Sequence, residues 1–218
     1  MLSRLRGRYE RWEEARLDRR YGIQTGGIHD DLHEFGARGE HCALAYGYEG
    51  VKPAIFRDMV RASGVVPGEF ACVDFGSGKG RALVLAAECG FRRVIGVELA
   101  PGLHEIARRN AAAFRARRPL APPIELYCGD AAELPLPAGD LLLFFFNPFG
   151  EVVLRKVLGN VERALAAAPR RAIVAYRNPV HADVFDRLAF LRPLVRNRSF
   201  NLYSGSEPRL CSSLRQQV

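Results

Sequence analysis

One stretch, ACVDFGSGKGRALVLAA at residues 71–87, constrains the fold more than any other part of the chain. An apolar run of strand character meets Gly76, Gly78 and Gly80, and a helix-forming run follows at once. Three glycines in five residues allow a tight backbone turn and let a ligand approach the main chain closely. The same alternation continues downstream. Phe70–Phe75, Arg93–Leu99, Ile124–Cys128, Asp140–Phe146 and Arg171–Tyr176 read as strands. Lys79–Glu88, Leu103–Arg115, Glu151–Ala167 and the shorter His181–Ala189 read as helices. In Glu151–Ala167 the apolar residues Val153, Leu154, Val157, Leu158, Val161 and Leu165 fall on one helical face. Leu191–Tyr203 and Arg209–Arg215 read as two antiparallel strands. Strands apolar on both faces and separated by helices predict a doubly wound, mostly parallel α/β sheet with helices on both faces.

Upstream of this domain the pattern differs. Residues 3–19 predict a solvated helix, with Leu5, Trp12 and Leu17 among charges and Trp12 as its docking residue. Residues 21–50 are rich in Gly and His and read as a loop or lid; residues 53–63 then predict a helix opened by Pro53 and stopped before Gly64. The expected organisation is an N-terminal helix and lid over 1–50 and one α/β domain over 51–218.

The glycine loop fits some ligands and not others. A phosphate-binding loop needs G-x-x-x-x-G-K-[ST]; here the first position is Val73 and the last is Gly80, so the metal-binding hydroxyl is missing. A dinucleotide loop needs G-x-G-x-x-G/A; counted from Gly76, the sixth position is the bulky Arg81. S-adenosylmethionine is a third ligand class. It has no phosphate, and it carries a sulfonium, an ammonium, a ribose diol and adenine. A site for it calls for carboxylates at strand ends. Asp74 precedes the loop, Glu98 ends the next strand 18 residues after Gly80, and Asp130 follows the third. Three successive strand C-termini form the ligand-binding edge of an open α/β sheet.

These residues carry a resemblance. VDFGSGKGR, VIGVEL, YCGDAAELPLP and FFFNPF look like the successive motifs of class I (seven-strand) S-adenosylmethionine-dependent methyltransferases. The likeness covers roughly residues 50–218, and overall it is to bacterial members that bring no substrate with them. It implies a Rossmann-like sheet whose last strand is antiparallel, and transfer of a methyl group with S-adenosylhomocysteine as product. By position, Gly76, Ser77, Gly78 and Gly80 would wrap the methionine moiety and Asp74 would reach its ammonium. Glu98, beside Leu99, would hold the ribose, and Asp130 with Ala131 the adenine.

In such enzymes the end of the fourth strand faces the transferred methyl, which here implicates Asn147, Pro148 and Phe149. The segment is similar to the [DNS]-P-P-[FYW] motif of amine and amide methylators but lacks the second proline. A second Asn-Pro pair, Asn178-Pro179, follows Tyr176 at the next strand end. Tyr176, His181, Tyr46 and Tyr48 are candidates for taking the acceptor's proton. The DFGSGKGR phrase is also similar to the first motif of seven-strand protein-lysine methyltransferases. The expected acceptor is a nitrogen or oxygen of a protein side chain, lysine among the candidates, or of a small molecule. RNA methylation and a non-catalytic binding module are the alternatives.

Net charge is +8, with 32 Lys and Arg against 24 Asp and Glu. The excess sits in residues 151–218, which carry 12 bases and 5 acids; residues 71–150 carry 9 and 8. A basic face suggests nucleic acid, yet only Lys52, Lys79 and Lys156 are lysines, so a bias toward Arg explains the balance equally well. Cys42, Cys72, Cys89, Cys128 and Cys211 show no metal or disulfide spacing, and Cys72 and Cys128 read as small buried hydrophobes. His29, His33 and His41 lie near Asp30, Asp31 and Cys42 but in Gly-rich surroundings, so no metal is expected. No secretory h-region or membrane-length apolar run is present, and a reducing cytoplasm is the expected location.

Overall fold

A computed structural model describes residues 2–38 and 45–205. Its centre is a seven-stranded sheet built from β3 (Phe70–Phe75), β4 (Arg93–Glu98), β5 (Ile124–Cys128), β6 (Asp140–Phe146), β7 (Ala172–Arg177), β8 (Leu191–Arg196) and β9 (Phe200–Gly205). The order is β5-β4-β3-β6-β7-β9-β8. Strands β3 to β7 pair in parallel, and β9 lies antiparallel between β7 and β8. This is the expected sheet with one refinement. Leu191–Tyr203 is not a single strand: it breaks at Asn197–Ser199, where the Asn197 side chain accepts from the backbone N–H groups of Ser199 and Phe200. The antiparallel hairpin is therefore β8–β9, and the strand expected at 209–215 lies outside the described residues.

The continuous apolar strands follow from two cores. In β6, Leu142 and Phe144 pack with α2 (Pro53–Ser63) and α3 (Arg81–Cys89) on one side. Leu141, Leu143 and Phe145 pack with α5 (Glu151–Ala167) and α6 (Ala182–Asp186) on the other. Alternate side chains of a strand point to opposite faces, so two buried faces demand an unbroken apolar run. The α5 stripe expected from the sequence is buried throughout. Helix α4 (Pro101–Arg117) packs its Phe114 edge-on to Tyr21. At the outer edge β5 is less covered, and Cys128 is exposed there rather than buried, because an edge strand has a neighbour on one side only.

The N-terminal helix α1 (Leu2–Tyr21) docks on this domain by its C-terminal end. Leu17 and Tyr21 enter the core, whereas Trp12 is 48% exposed and packs against Tyr9 and the Arg16 guanidinium of its own helix. Trp12 is thus not the docking residue. Charge pairing does more of that work: Glu10 meets Lys52, Glu13 meets Arg57, and Glu88 meets both Arg57 and Arg20. Residues 21–50 contain a two-residue antiparallel ladder, β1 (Ile28–His29) with β2 (Tyr48–Glu49), and a 3-10 turn at Leu32–Phe35.

This segment is stitched to the glycine loop by two cations. Arg81, only 2% exposed, donates from Nε to Thr25 Oγ1 (2.7 Å) and through its terminal nitrogens to the carbonyls of Thr25 (2.8 Å) and Gly50 (3.2 Å), and it pairs with Glu14 (3.2 Å). Lys79 Nζ donates to the Gly26 carbonyl (2.7 Å), lies 2.9 Å from His29 Nε2 and sits over the Tyr48 ring. Burial pushes the Lys79 ammonium below its ordinary range. Removing one partner of a buried ion pair strands the other groups, at a cost of about 3 kcal/mol. Arg81→Ala should therefore lower the urea midpoint by roughly that free energy and speed proteolysis within residues 21–50. Equal midpoints for variant and parent would contradict this account of the stitch.

Candidate active site

The C-terminal ends of β3 to β7 open into a cavity of about 240 Å³. Its floor comes from Gly76 and Gly78, from Val97–Leu99 at the end of β4, from Gly129–Ala131 after β5, from Phe146–Phe149 at the end of β6, and from Asn178 after β7. Its roof comes from the N-terminal segment, through Ile28, Asp30, Leu32 and residues 45–49. An antiparallel bridge between Ala45 and Phe149, with Tyr46 N–H donating to the Pro148 carbonyl (3.1 Å), ties roof to floor.

The glycines are required by contact as well as by turn geometry. Gly76 and Gly78 have φ of 78° and 54°. A Cβ on Gly76 would stand 2.5 Å from the Pro148 Cβ, and one on Gly78 would stand 2.3 Å from the Tyr48 ring. Glu98 fixes the loop: one carboxylate oxygen accepts from Gly78 N–H (2.7 Å) and the other from Ala100 N–H (2.8 Å). Burial pushes the Glu98 carboxyl up, and these backbone donors pull it back. Four lone-pair directions on a carboxylate leave room for a further donor from the cavity. Asp130 caps the 3-10 turn at Ala131–Glu133, accepting from Ala132 N–H (2.8 Å), and lines the cavity beside Ala131.

Asp74 lies one step deeper. It is 3% exposed and borders a smaller recess, with Ser77 and Arg81, that shares Tyr48, Glu49, Gly76 and Phe146 with the main cavity. Burial, then the nearby Glu98, raises its carboxyl to about 8. Ser77 and Gly80 do not line the main cavity. Ser77 Oγ is buried with no hydrogen-bond partner among the described residues, and Gly80, with φ of 84°, caps α3 and packs against Ala107. The two expected loop contacts at Ser77 and Gly80 are thus set behind the loop.

On the other side of the cavity, Asn147 and Asn178 both hold left-handed backbone, with φ of 43° and 52°. Asn tolerates this conformation better than other residues with a Cβ. Tyr176 does not reach the cavity. Its ring is 1% exposed, and its hydroxyl donates to Asn147 Oδ1 (3.1 Å) and accepts from His181 N–H (3.1 Å). Burial pushes this phenol up to about 12. A base role does not fit such a group; the tyrosine instead holds the Asn147 amide. Tyr46 does line the cavity, and its hydroxyl lies 3.1 Å from His181 Nε2 with the two rings stacked. Among the described residues no cluster of three or more His, Cys, Asp or Glu could hold a metal; His41 and Cys42 lie outside them. No described helix is long and apolar enough to cross a membrane.

Lys79 and Arg81 were not identifiable as structural stitches from sequence, because their partners lie 31 or more residues upstream. The nearest signal was the basic character of a loop that meets no phosphate.

Comparison with known proteins bears on the fold that carries this cavity. Residues 72–168 match a family described as a methyltransferase domain. An RNA methyltransferase from Salinibacter ruber, solved with S-adenosylhomocysteine, superposes with a TM-score of 0.52 at 20% identity, over 74% of this chain and 95% of that one. A geranyl diphosphate C-methyltransferase from Streptomyces coelicolor, solved with S-adenosylhomocysteine, Mg²⁺ and geranyl diphosphate, gives 0.52 at 15% identity, over 72% and 78%. At such identities the likeness is one of fold. No curated protein sequence matches the chain.

The Asp74 carboxyl gives a measurable signature. Its folded value near 8 stands above an unfolded value near 4, so between those pH values the folded state holds a proton that the unfolded state has lost. The contribution of Asp74 to stability is full below about pH 4 and is lost as pH rises toward 8. Thermal melts of the cofactor-free protein should show this decline, and Asp74→Asn should flatten it. Parallel pH profiles for the two proteins would rule the assignment out.

Proposed function

Since the chain carries a class I S-adenosylmethionine-dependent methyltransferase domain, with S-adenosylmethionine as cofactor, we propose that it methylates a nitrogen or oxygen of a protein side chain or small molecule at the Asn147–Asn178 side of the cavity. The observation that carries this reading is the pair of left-handed asparagines at adjacent strand ends, both lining the cavity across from the glycine loop.

The cofactor half follows from charge. Asp74 is a buried carboxyl with no ion pair among the described residues, and a cationic ammonium is the group that would restore its ionised form. Gly76 and Gly78 present bare backbone to the cavity. Glu98, with Leu99 beside it, would accept from a ribose diol, and Asp130 with Ala131 from adenine; that all four line the cavity supports this reading. When bound, the cofactor supplies an activated methyl on an excellent leaving group. The protein's task is then alignment and exclusion of water. Asn147, oriented by Tyr176 and flanked by Pro148 and Phe149, would accept a hydrogen bond from the incoming group and aim its lone pair. Tyr46, held by His181, is the candidate for receiving the acceptor's proton.

Calorimetry with S-adenosylmethionine should give a single site. Glu98→Ala should weaken it at least tenfold. Asn147→Gly keeps the left-handed backbone and removes the amide; it should leave cofactor affinity within about threefold while lowering kcat roughly a hundredfold. Unchanged binding in Glu98→Ala would refute the cofactor assignment, and unchanged kcat in Asn147→Gly the acceptor assignment.

A further inference from the structure

The cavity lining has a charge that the rest of the protein does not. Asp30, Glu49, Glu98 and Asp130 line it, and no Lys, Arg or His does among the described residues. The chain as a whole is +8. Cations near the cavity are turned away and committed elsewhere. Arg177 lies behind Phe146, stacked on that ring and bonded to the Ser199 carbonyl, and it faces Glu49 from there. Lys79 is held by Gly26 and His29, and Arg81 by Thr25, Gly50 and Glu14. His181 contacts the cavity only through Tyr46.

Two of the four acids have a use in the cofactor reading above, Glu98 and Asp130. Asp30 and Glu49 do not. Both belong to the roof segment and both are exposed; Glu49 is part of the β1–β2 ladder and Asp30 follows the ladder directly after His29. Around them the walls are aromatic: Tyr46, Tyr48, Phe146 and Phe149. Carboxylates at an entrance with aromatic faces behind them attract and desolvate an organic cation. They repel a phosphate. A nucleic-acid acceptor must bring its backbone charge to the mouth, and among the described residues no Lys, Arg or His lines the cavity to meet that charge.

We propose that the methyl acceptor is a cationic alkylamine, either a lysine side chain or a free small amine, drawn in by Asp30 and Glu49. This rests on the methyltransferase reading and narrows its substrate class. The ammonium must first lose one proton to a base, for which Tyr46 with His181 is in place. The amine lone pair then forms the N–C bond to the methyl as the C–S bond breaks, and the sulfur keeps that electron pair. The product is a methylammonium, which balances the charge. Two cations in one cavity repel each other, and the roof carboxylates offset that repulsion on the acceptor side.

The test uses the whole chain with labelled S-adenosylmethionine and three acceptors in parallel: 1,5-diaminopentane, polylysine, and total RNA. Label should enter one or both amines, and which of the two distinguishes the free amine from the protein side chain. The double variant Asp30→Asn/Glu49→Gln should raise the amine KM about tenfold, with kcat and the calorimetric affinity for S-adenosylmethionine each within twofold of the parent. Label in RNA and in neither amine would overturn the proposal, as would an unchanged amine KM in the double variant. If neither amine is labelled while the parent still binds the cofactor, the amine proposal fails alone. If the cofactor does not bind, the underlying reading fails with it.

Discussion

The buried guanidinium of Arg81 is the constraint on which the site depends. A charge at 2% exposure survives only if every donor has a partner. Those partners are supplied by residues 14, 25 and 50, far upstream, so the N-terminal segment has to lie across the glycine loop. Tyr48 then follows. Its hydroxyl donates to the same Thr25 carbonyl (2.7 Å), which sets its ring against Gly78. Asn110 of α4 closes the set by donating to the carbonyls of Lys79 and Gln24. One arginine thus explains why the sheet edge has a roof.

The α/β frame was legible in the sequence because burial on both faces leaves unbroken apolar runs, as in LLLFFF of β6. The acids at strand ends were legible because the loop fixes where a strand must stop. Contacts that close over long separations were not. Nothing local tells that Lys79 meets Gly26, 53 residues away, or that Tyr176 serves Asn147 rather than solvent. Trp12 misled because a lone aromatic among charges suggests docking, whereas the helix is anchored by Leu17, Tyr21 and a row of glutamates. Cys128 misled because an apolar run does not tell an edge strand from a central one.

The charge of the last third now has a structural setting. Arg155, Arg171, Arg187 and Arg196 are each paired with a nearby acid on the surface. Exposed pairs of this kind add about 0–1 kcal/mol each. Three of these arginines pair with acids already counted in the balance of 12 to 5, so the pairs hold the side chains on the surface without removing the excess. The cavity itself is lined by carboxylates, in a protein whose total charge is of the opposite sign.

The bridge from Ala45 to Phe149 carries a mechanical consequence. The roof is joined to the turn after β6, the same turn that carries Asn147 and Pro148, and Pro148 touches Gly76 of the loop. Roof, turn and loop are therefore one linked unit: a displacement of any of the three is felt by the other two.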